Sequence, residues 1–222
     1  MNASVIIRTL NESRYLRELL EAISNQETEG LSHEVIIVDS GSTDETLKIA
    51  SEYGCQITHI KKEDFSFGRS LNVGCKFSSG DYLIFISGHC IPVNEYWLQE
   101  LCNPLINGKL DYVYGKQQGR DTTKFSEELL FEKFYPNYSK IPQEDFFCNN
   151  ANSAIKRSVW EKYKFNENLT GLEDMDLAKR IQQDSYKVGY SSKSSVYHIH
   201  DETWKQLQYR YERESYALKD IM

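Results

Sequence analysis

Four short apolar runs, at residues 4–8, 34–39, 56–60 and 81–87, are separated by stretches whose apolar residues recur at helical spacing. Strands spaced by whole helices are not joined as hairpins, so the first half of the chain is constrained to a parallel sheet covered by helices. Leu16, Leu19, Leu20 and Ile23 mark one face of a helix over 14–25, with Ser13 as its N-cap. The continuous run EVIIVD at 34–39 predicts burial on both faces. SGSTDET then leads into a helix over 45–53, stopped by Gly54, and a further helix over 70–79 is closed by Gly80. Loops at the carboxyl ends of such strands are where open α/β sheets gather ligands. Three polar clusters fall there: TLNE, DSGSTD and SGH.

The second half is less regular. It predicts a helix over 94–105, a strand over 112–115, a helix over 174–184, a short strand over 188–190, the segment SSVYHIH at 194–200 and a terminal helix from about 202. Residues 120–145 are rich in aromatics and acids but carry no clear period, and read as helix plus loop. The whole reads as a single domain spanning 1–222, of class α/β.

Composition narrows the function classes. A formal charge of −7 argues against nucleic acid and anionic membranes as partners, because both need a basic field. Five cysteines, widely spaced and without C-x-x-C, indicate neither a disulfide framework nor a zinc ribbon, and a reducing cytoplasm suits them. No run of about 18 apolar residues is present, so no signal peptide and no transmembrane segment is expected.

Read in order, strand–TLNE, strand–DSGSTD, FGRSLNVG, strand–SGH, GLEDMDL and a late histidine resemble the inverting GT-A glycosyltransferases of family 2. FSFGRSLN is similar to rhamnosyltransferase-like members that build bacterial surface polysaccharide. The resemblance implies a Rossmann-like nucleotide-binding sheet flanked by helices. A nucleotide-sugar half covers about 1–115, a smaller acceptor half about 116–200, and a C-terminal helix about 202–222. It implies transfer from a UDP- or dTDP-sugar to a hydroxyl of a glycan or lipid-linked acceptor, in the cytoplasm or at the inner face of its membrane.

The resemblance assigns nucleotide contacts to Thr9, Asn11, Glu12, Asp39, Ser40, Arg69, Asn72 and Ser87. A carboxylate at a strand end can accept hydrogen bonds from a base or a ribose, which suits Asp39, and Arg69 presents a planar fork to a diphosphate. Asp44 reads better as a helix cap. ISGHCIP stands where the family carries Asp-x-Asp, with Ser87 and His89 in place of the acids, and the later SVYHIH offers His198 and His200 as further ligands. Imidazole favours softer divalent metals, so Mn²⁺ is expected over Mg²⁺. The alternative is a metal-independent enzyme in which His89 bonds a phosphate.

Asp174 matches the family's general base, with Glu173 as an alternative base or an acceptor-orienting group, and Asp176 as helix surface. Asn150, Asn152 and Gly171 are assigned to the donor and acceptor sugars, beside Phe146, Phe147 and Asn149. Trp204, Leu207, Tyr211 and Leu218 form a stripe on the terminal helix that packs on its own domain or faces a further domain, a partner or a membrane. A rival reading is a catalytically inactive module that holds a nucleotide sugar or glycan. A nucleotidyltransferase is disfavoured because TLNESRY is not a Gly-rich basic loop.

Overall fold

The computed structural model describes residues 1–121, 123–200 and 202–222. Among them the strands form one eight-stranded sheet. Its first part is the expected parallel set: β1 (Asn2–Thr9), β2 (Ser32–Asp39), β3 (Gln56–His59) and β4 (Tyr82–Ser87). Alternation decides which side each residue serves. Val5 and Ile7 face a core with Leu16, Leu19 and Ile23 of α1 (Ser13–Ser24), Ile49 of α2 (Thr46–Glu52) and Trp97 and Leu101 of α4 (Trp97–Ile106). Ile6 and Phe85 face the other core, with Leu71 of α3 (Phe67–Phe77), Trp160 of α6 (Arg157–Tyr163) and Leu177 of α7 (Glu173–Gln183).

The second part of the sheet is mixed. β7 (Asn152–Lys156) lies antiparallel to both β4 and β6 (Tyr112–Gln118). β8 (Val188–His198) runs parallel to β6, and β5 (Cys90–Pro92) pairs antiparallel to β8. The two pieces expected at 188–190 and 194–200 belong largely to this one strand, and a register shift at Gly115/Lys116 accounts for the break in their pattern. β5, β7 and α6, of three, five and seven residues, escape the sequence reading.

Several local expectations change. Glu12, not Ser13, holds the N-cap place of α1, because Asn11 turns the chain at φ 59° and the Ser13 N–H donates to the Asp44 carboxylate. Helix α3 begins at Phe67, capped by Ser66, whose hydroxyl accepts from the Arg69 N–H. It ends at Phe77, and the N–H of Gly80, the expected stop, donates to the Ser4 hydroxyl instead. Gly54 does sit just past α2 at φ 67°, where an L side chain is disfavoured.

In the unpatterned region, α5 (Phe125–Phe134) inverts the usual arrangement. Its buried residue is Glu127, while Phe125, Leu129 and Leu130 are exposed. Helix α8 (Trp204–Ile221) opens with a capping box in which Thr203 and Gln206 exchange hydrogen bonds. Leu207 is buried, but Trp204, Tyr211 and Leu218 of the expected stripe are exposed. No helix among the described residues is long and apolar enough to cross a membrane.

Candidate active site

Two loops at the carboxyl ends of β1 and β2 are tied together. The Ser40 N–H donates to Thr9 O (3.0 Å), the Asn11 N–H to Ser42 Oγ (2.9 Å), and the Thr43 N–H to Asn11 Oδ1 (2.8 Å). Asp39 is the anchor beneath them. Its carboxylate, 1% exposed, accepts from the Gly41 and Ser42 N–H groups and from the Ser42 and Thr9 hydroxyls. Burial pulls this carboxyl upward, but those hydrogen bonds outweigh it and hold it below the usual carboxylate value. Asp44, expected to cap α2, stands one residue before its N-cap, Glu45, and accepts from the Thr46 N–H at 3.0 Å and from the Ser13 N–H at 3.1 Å.

Above these loops lies a cleft of about 880 Å³ whose walls include Thr9, Asn11, Glu12, Ser40, Ser87 and His89. Asp39 supports this wall rather than lining it. The cleft also draws cations that the motifs did not single out: Arg8 from β1, Lys62, and Arg210 and Arg213 from α8. In a chain of net charge −7, this concentration of positive charge suits an anionic ligand. The signal was present in YRYER, since residues three apart on a helix share a face.

Arg69 and Asn72, expected beside the nucleotide, are committed elsewhere. Arg69 pairs with Glu167 (2.9 Å) and donates to Asp64 O. The Asn72 amide accepts from Trp160 Nε1 and the Phe165 N–H and donates to Phe165 O and Glu167, so it ties α3 to the 165–167 segment.

At the floor of the cleft three histidines converge. Pairing of Cys90 with His198, and donation from the Ile199 N–H to His89 O, bring the SGH turn beside the end of β8. One ring nitrogen from each of His89, His198 and His200 lies within 4.8 Å of the others. Each ring is held from behind: Nδ1 of His89 by Glu12 Oε1 (3.1 Å), of His198 by Gln117 Oε1 (2.6 Å) and of His200 by Glu127 Oε1 (2.8 Å). These oxygens only accept, so each Nδ1 donates and each Nε2 is the nitrogen left for a ligand. Burial, reinforced by neighbouring positive groups, pushes His198 well below the ordinary histidine value and His200 down to about 3. Both imidazoles are therefore neutral at physiological pH. This donor set, oriented through its second nitrogens, fits a divalent transition metal.

The acidic pair opens α7. Leu172, at φ 57°, turns the chain so that Glu173 and Asp174 enter buried positions. Asp174 accepts from the Asn150 and Met175 N–H groups, both at 2.8 Å, while Glu173 meets Arg8 at 3.4 Å. Burial, then the charge of Glu173, raises the Asp174 carboxyl to about 8. Asp176, expected on the helix surface, is partly buried and pairs with Arg180 one turn on at 2.8 Å.

Asn150 organises this pair. Its backbone bonds Asp174, and its side-chain oxygen accepts from Tyr112 and Ser153. Asn152 lies deeper: it accepts from Trp97 Nε1 and donates to Lys116 O and Ser194 O, with no exposed surface left for a sugar. Gly171 faces Arg213, midway along α8, with room for a β-carbon. A second, mainly apolar cavity of about 480 Å³ adjoins the histidines, lined by Phe131, Phe134, Tyr135, Phe147, Asn149 and Met175 among others. The acidic pair is flanked by Arg8 of the cleft and by Asn149 and Met175 of this cavity.

Comparisons with known proteins agree with this architecture. The family model described as glycosyl transferase family 2 matches residues 4–164. The chain is 28% identical over 225 residues to the O-antigen chain rhamnosyltransferase RfbN of Salmonella typhimurium, covering 95% of this chain and 70% of the relative. It is 31% identical over 204 residues to the poly(ribitol-phosphate) β-N-acetylglucosaminyltransferase TarS of Staphylococcus aureus, covering 89% of this chain and 35% of the relative. Among solved structures, a mannosyltransferase from Pyrobaculum calidifontis in complex with GDP-Man and Mn²⁺ superposes with a TM-score of 0.75 at 19% identity, over 97% of this chain and 61% of that one. Residues 1–349 of TarS give 0.71 at 19% identity, over 90% and 60%. The chain thus spans only part of each of these proteins, and its fold is that of the GT-A glycosyltransferases.

Proposed function

The chain belongs to glycosyl transferase family 2, and from that premise we propose that it transfers a sugar from a nucleoside-diphosphate donor, UDP- or dTDP-linked, to a hydroxyl of a glycan or lipid-linked acceptor, with inversion, in bacterial surface polysaccharide synthesis. The observation that carries the reading is the buried Asp174, whose chain neighbours Leu172 and Met175 line the aromatic cavity while Arg8, the partner of Glu173, lines the basic cleft.

In this reading the nucleotide occupies the cleft over Thr9, Asn11 and Ser40, and the diphosphate lies toward Arg210, Arg213 and the histidines. The acceptor approaches from the aromatic cavity, where ring faces suit a pyranose. Its hydroxyl oxygen attacks the anomeric carbon from the face opposite the diphosphate. Asp174 takes the hydroxyl proton as the new C–O bond forms, and the bond from the anomeric carbon to the diphosphate oxygen breaks with its electron pair. Asn150 and the Met175 N–H hold the base in place, and Arg8 and Glu173 position its neighbourhood. A divalent metal at His89, His198 and His200 would offset the charge that gathers on the leaving diphosphate. Arg213 would serve the same charge from α8.

Thermal unfolding against UDP, dTDP, GDP, CDP and CMP, each with Mn²⁺, Mg²⁺ or EDTA, tests the donor class. Stabilisation by one diphosphate, together with release of nucleotide from the matching sugar donor, is expected. Stabilisation without any turnover favours the inactive binding module, and no response to any nucleotide overturns the reading.

A further inference from the structure

Two similar chains, one in complex with GDP-Man and one with UDP-Glc, hold Mn²⁺. We propose that the ion at His89, His198 and His200 belongs to the zinc and cobalt class, held by three imidazole nitrogens with no protein carboxylate bound to it. Glu12, Gln117 and Glu127 set that preference as positioning residues.

Three features converge on this. The first acid of the usual motif is Ser87, and the three side chains whose nitrogens converge are all histidines. Oxygen-rich sites suit Mg²⁺ and Mn²⁺, whereas imidazoles suit the borderline metals, which catalytic sites often hold with three protein ligands and an open position. The rings reach both cavities, His89 and His200 the cleft and His198 and His200 the aromatic one, so an open position is within reach of a ligand in the cleft.

The carboxylates nearby stand behind the rings. Glu12 and Glu127 receive the Nδ1 protons of His89 and His200, so both sit opposite the nitrogens that would bind the ion. Glu127, His200 and Glu202 also cluster. Arg210 already occupies that place, at 3.2 Å from Glu127 and 2.8 Å from Glu202, and its guanidinium opposes a cation there. Glu127 is buried and Gln117 has 2% of its surface exposed, so neither is free to swing onto the ion.

The inference rests on the cleft being the donor site only for the ion's task, and metal binding is measured with no nucleotide present, so the two readings fail separately. The metal-free full chain is titrated with Co²⁺, followed by its visible absorption, and then challenged with Zn²⁺, Mn²⁺ and Mg²⁺. Expected are the intense bands of low-coordinate Co²⁺, full displacement by Zn²⁺ and none by excess Mg²⁺. Because most sites bind Zn²⁺ more tightly than Mn²⁺, ranking alone is not decisive. X-ray absorption of the Co²⁺ form therefore counts imidazoles through their outer-shell scattering, and three are expected. Gln117→Ala and Glu127→Ala should each weaken Co²⁺ binding by about 10–100-fold, while Glu127→Gln, which still offers an oxygen to His200, should lose less. Thermal unfolding of Glu127→Gln shows that the fold persists. Displacement of Co²⁺ by Mg²⁺, fewer than three imidazoles around the ion, or wild-type affinity in both alanine variants overturns the inference.

Discussion

Gly88 and Glu12 meet with no room for a β-carbon between them: one built at position 88 would stand 2.8 Å from Glu12 Cγ and 3.0 Å from Cδ. That clearance lets Glu12 reach across the SGH turn to His89 Nδ1. Gly88→Ala should push the Glu12 side chain aside and leave His89 unoriented. Metal affinity is expected to fall by about tenfold or more, the usual cost of losing an outer-shell partner. Glu12 is a flexible side chain near the surface, so the melting temperature should change little. An unchanged metal affinity in a folded Gly88→Ala variant would show that Glu12 does not position His89.

Asp174 makes stability and activity respond to pH in opposite senses. Its carboxyl is raised from 3.8 to about 8 by burial and then by Glu173, so the folded state keeps a proton that the unfolded chain releases. Stability from this group is complete below about pH 4 and is lost as pH climbs to about 8, with a slope of at most about 1.4 kcal/mol per pH unit. The rate should rise over the approach to pH 8, because only the carboxylate accepts a proton. Urea unfolding at pH 5, 7 and 9 should show the slope in the wild type and a flatter one in Asp174→Asn. The variant should lose about 10²–10⁴-fold in transfer while still binding nucleotide. Intact transfer in Asp174→Asn would remove Asp174 from the base role.

Asn152 separates a structural role from a sugar contact. Its amide serves Trp97 Nε1 and the carbonyls of Lys116 and Ser194, and none of its surface is exposed. Asn152→Ala would strand these buried groups at about 1–3 kcal/mol each. The melting temperature should fall by at least several degrees, with donor affinity unchanged where the variant is folded. Normal stability with weakened sugar-donor binding would return Asn152 to the site.

The parallel half of the sheet and its loops were legible because their signals are local. A run such as EVIIVD announces a strand, and the polar cluster that follows must sit at its carboxyl end. The histidines were legible as residue types, but what holds them was not. Gln117 and Glu127 look like ordinary polar residues in sequence, and only the β6–β8 pairing and the fold of α5 bring them to His198 and His200. Helix α5 was obscured because its inward residue is a glutamate, which reverses the pattern that periodicity detects. Arg69 shows the converse, since a motif placed it near the nucleotide while Glu167, almost a hundred residues later, holds it elsewhere.

Arg69 and Arg213 therefore make opposite predictions for the diphosphate. Arg213 lines the cleft, lies over the Phe67 ring at 4.4 Å, and has a buried Nε with no hydrogen-bond partner. A guanidinium stacked on a ring and held beside Glu214 at 3.8 Å loses little freedom when it meets a phosphate, so its hydrogen bonds to the ligand are worth about 1.5–3 kcal/mol. Arg213→Ala should weaken the preferred nucleoside diphosphate by about 10–100-fold and the bare nucleoside hardly at all, as measured by calorimetric titration. Arg69 is half-exposed and paired with Glu167, so Arg69→Ala should cost at most about 1 kcal/mol of stability and leave the diphosphate affinity unchanged. The reverse outcome, with Arg69→Ala abolishing diphosphate binding and Arg213→Ala silent, would mean that the 165–167 segment releases Arg69 when nucleotide enters.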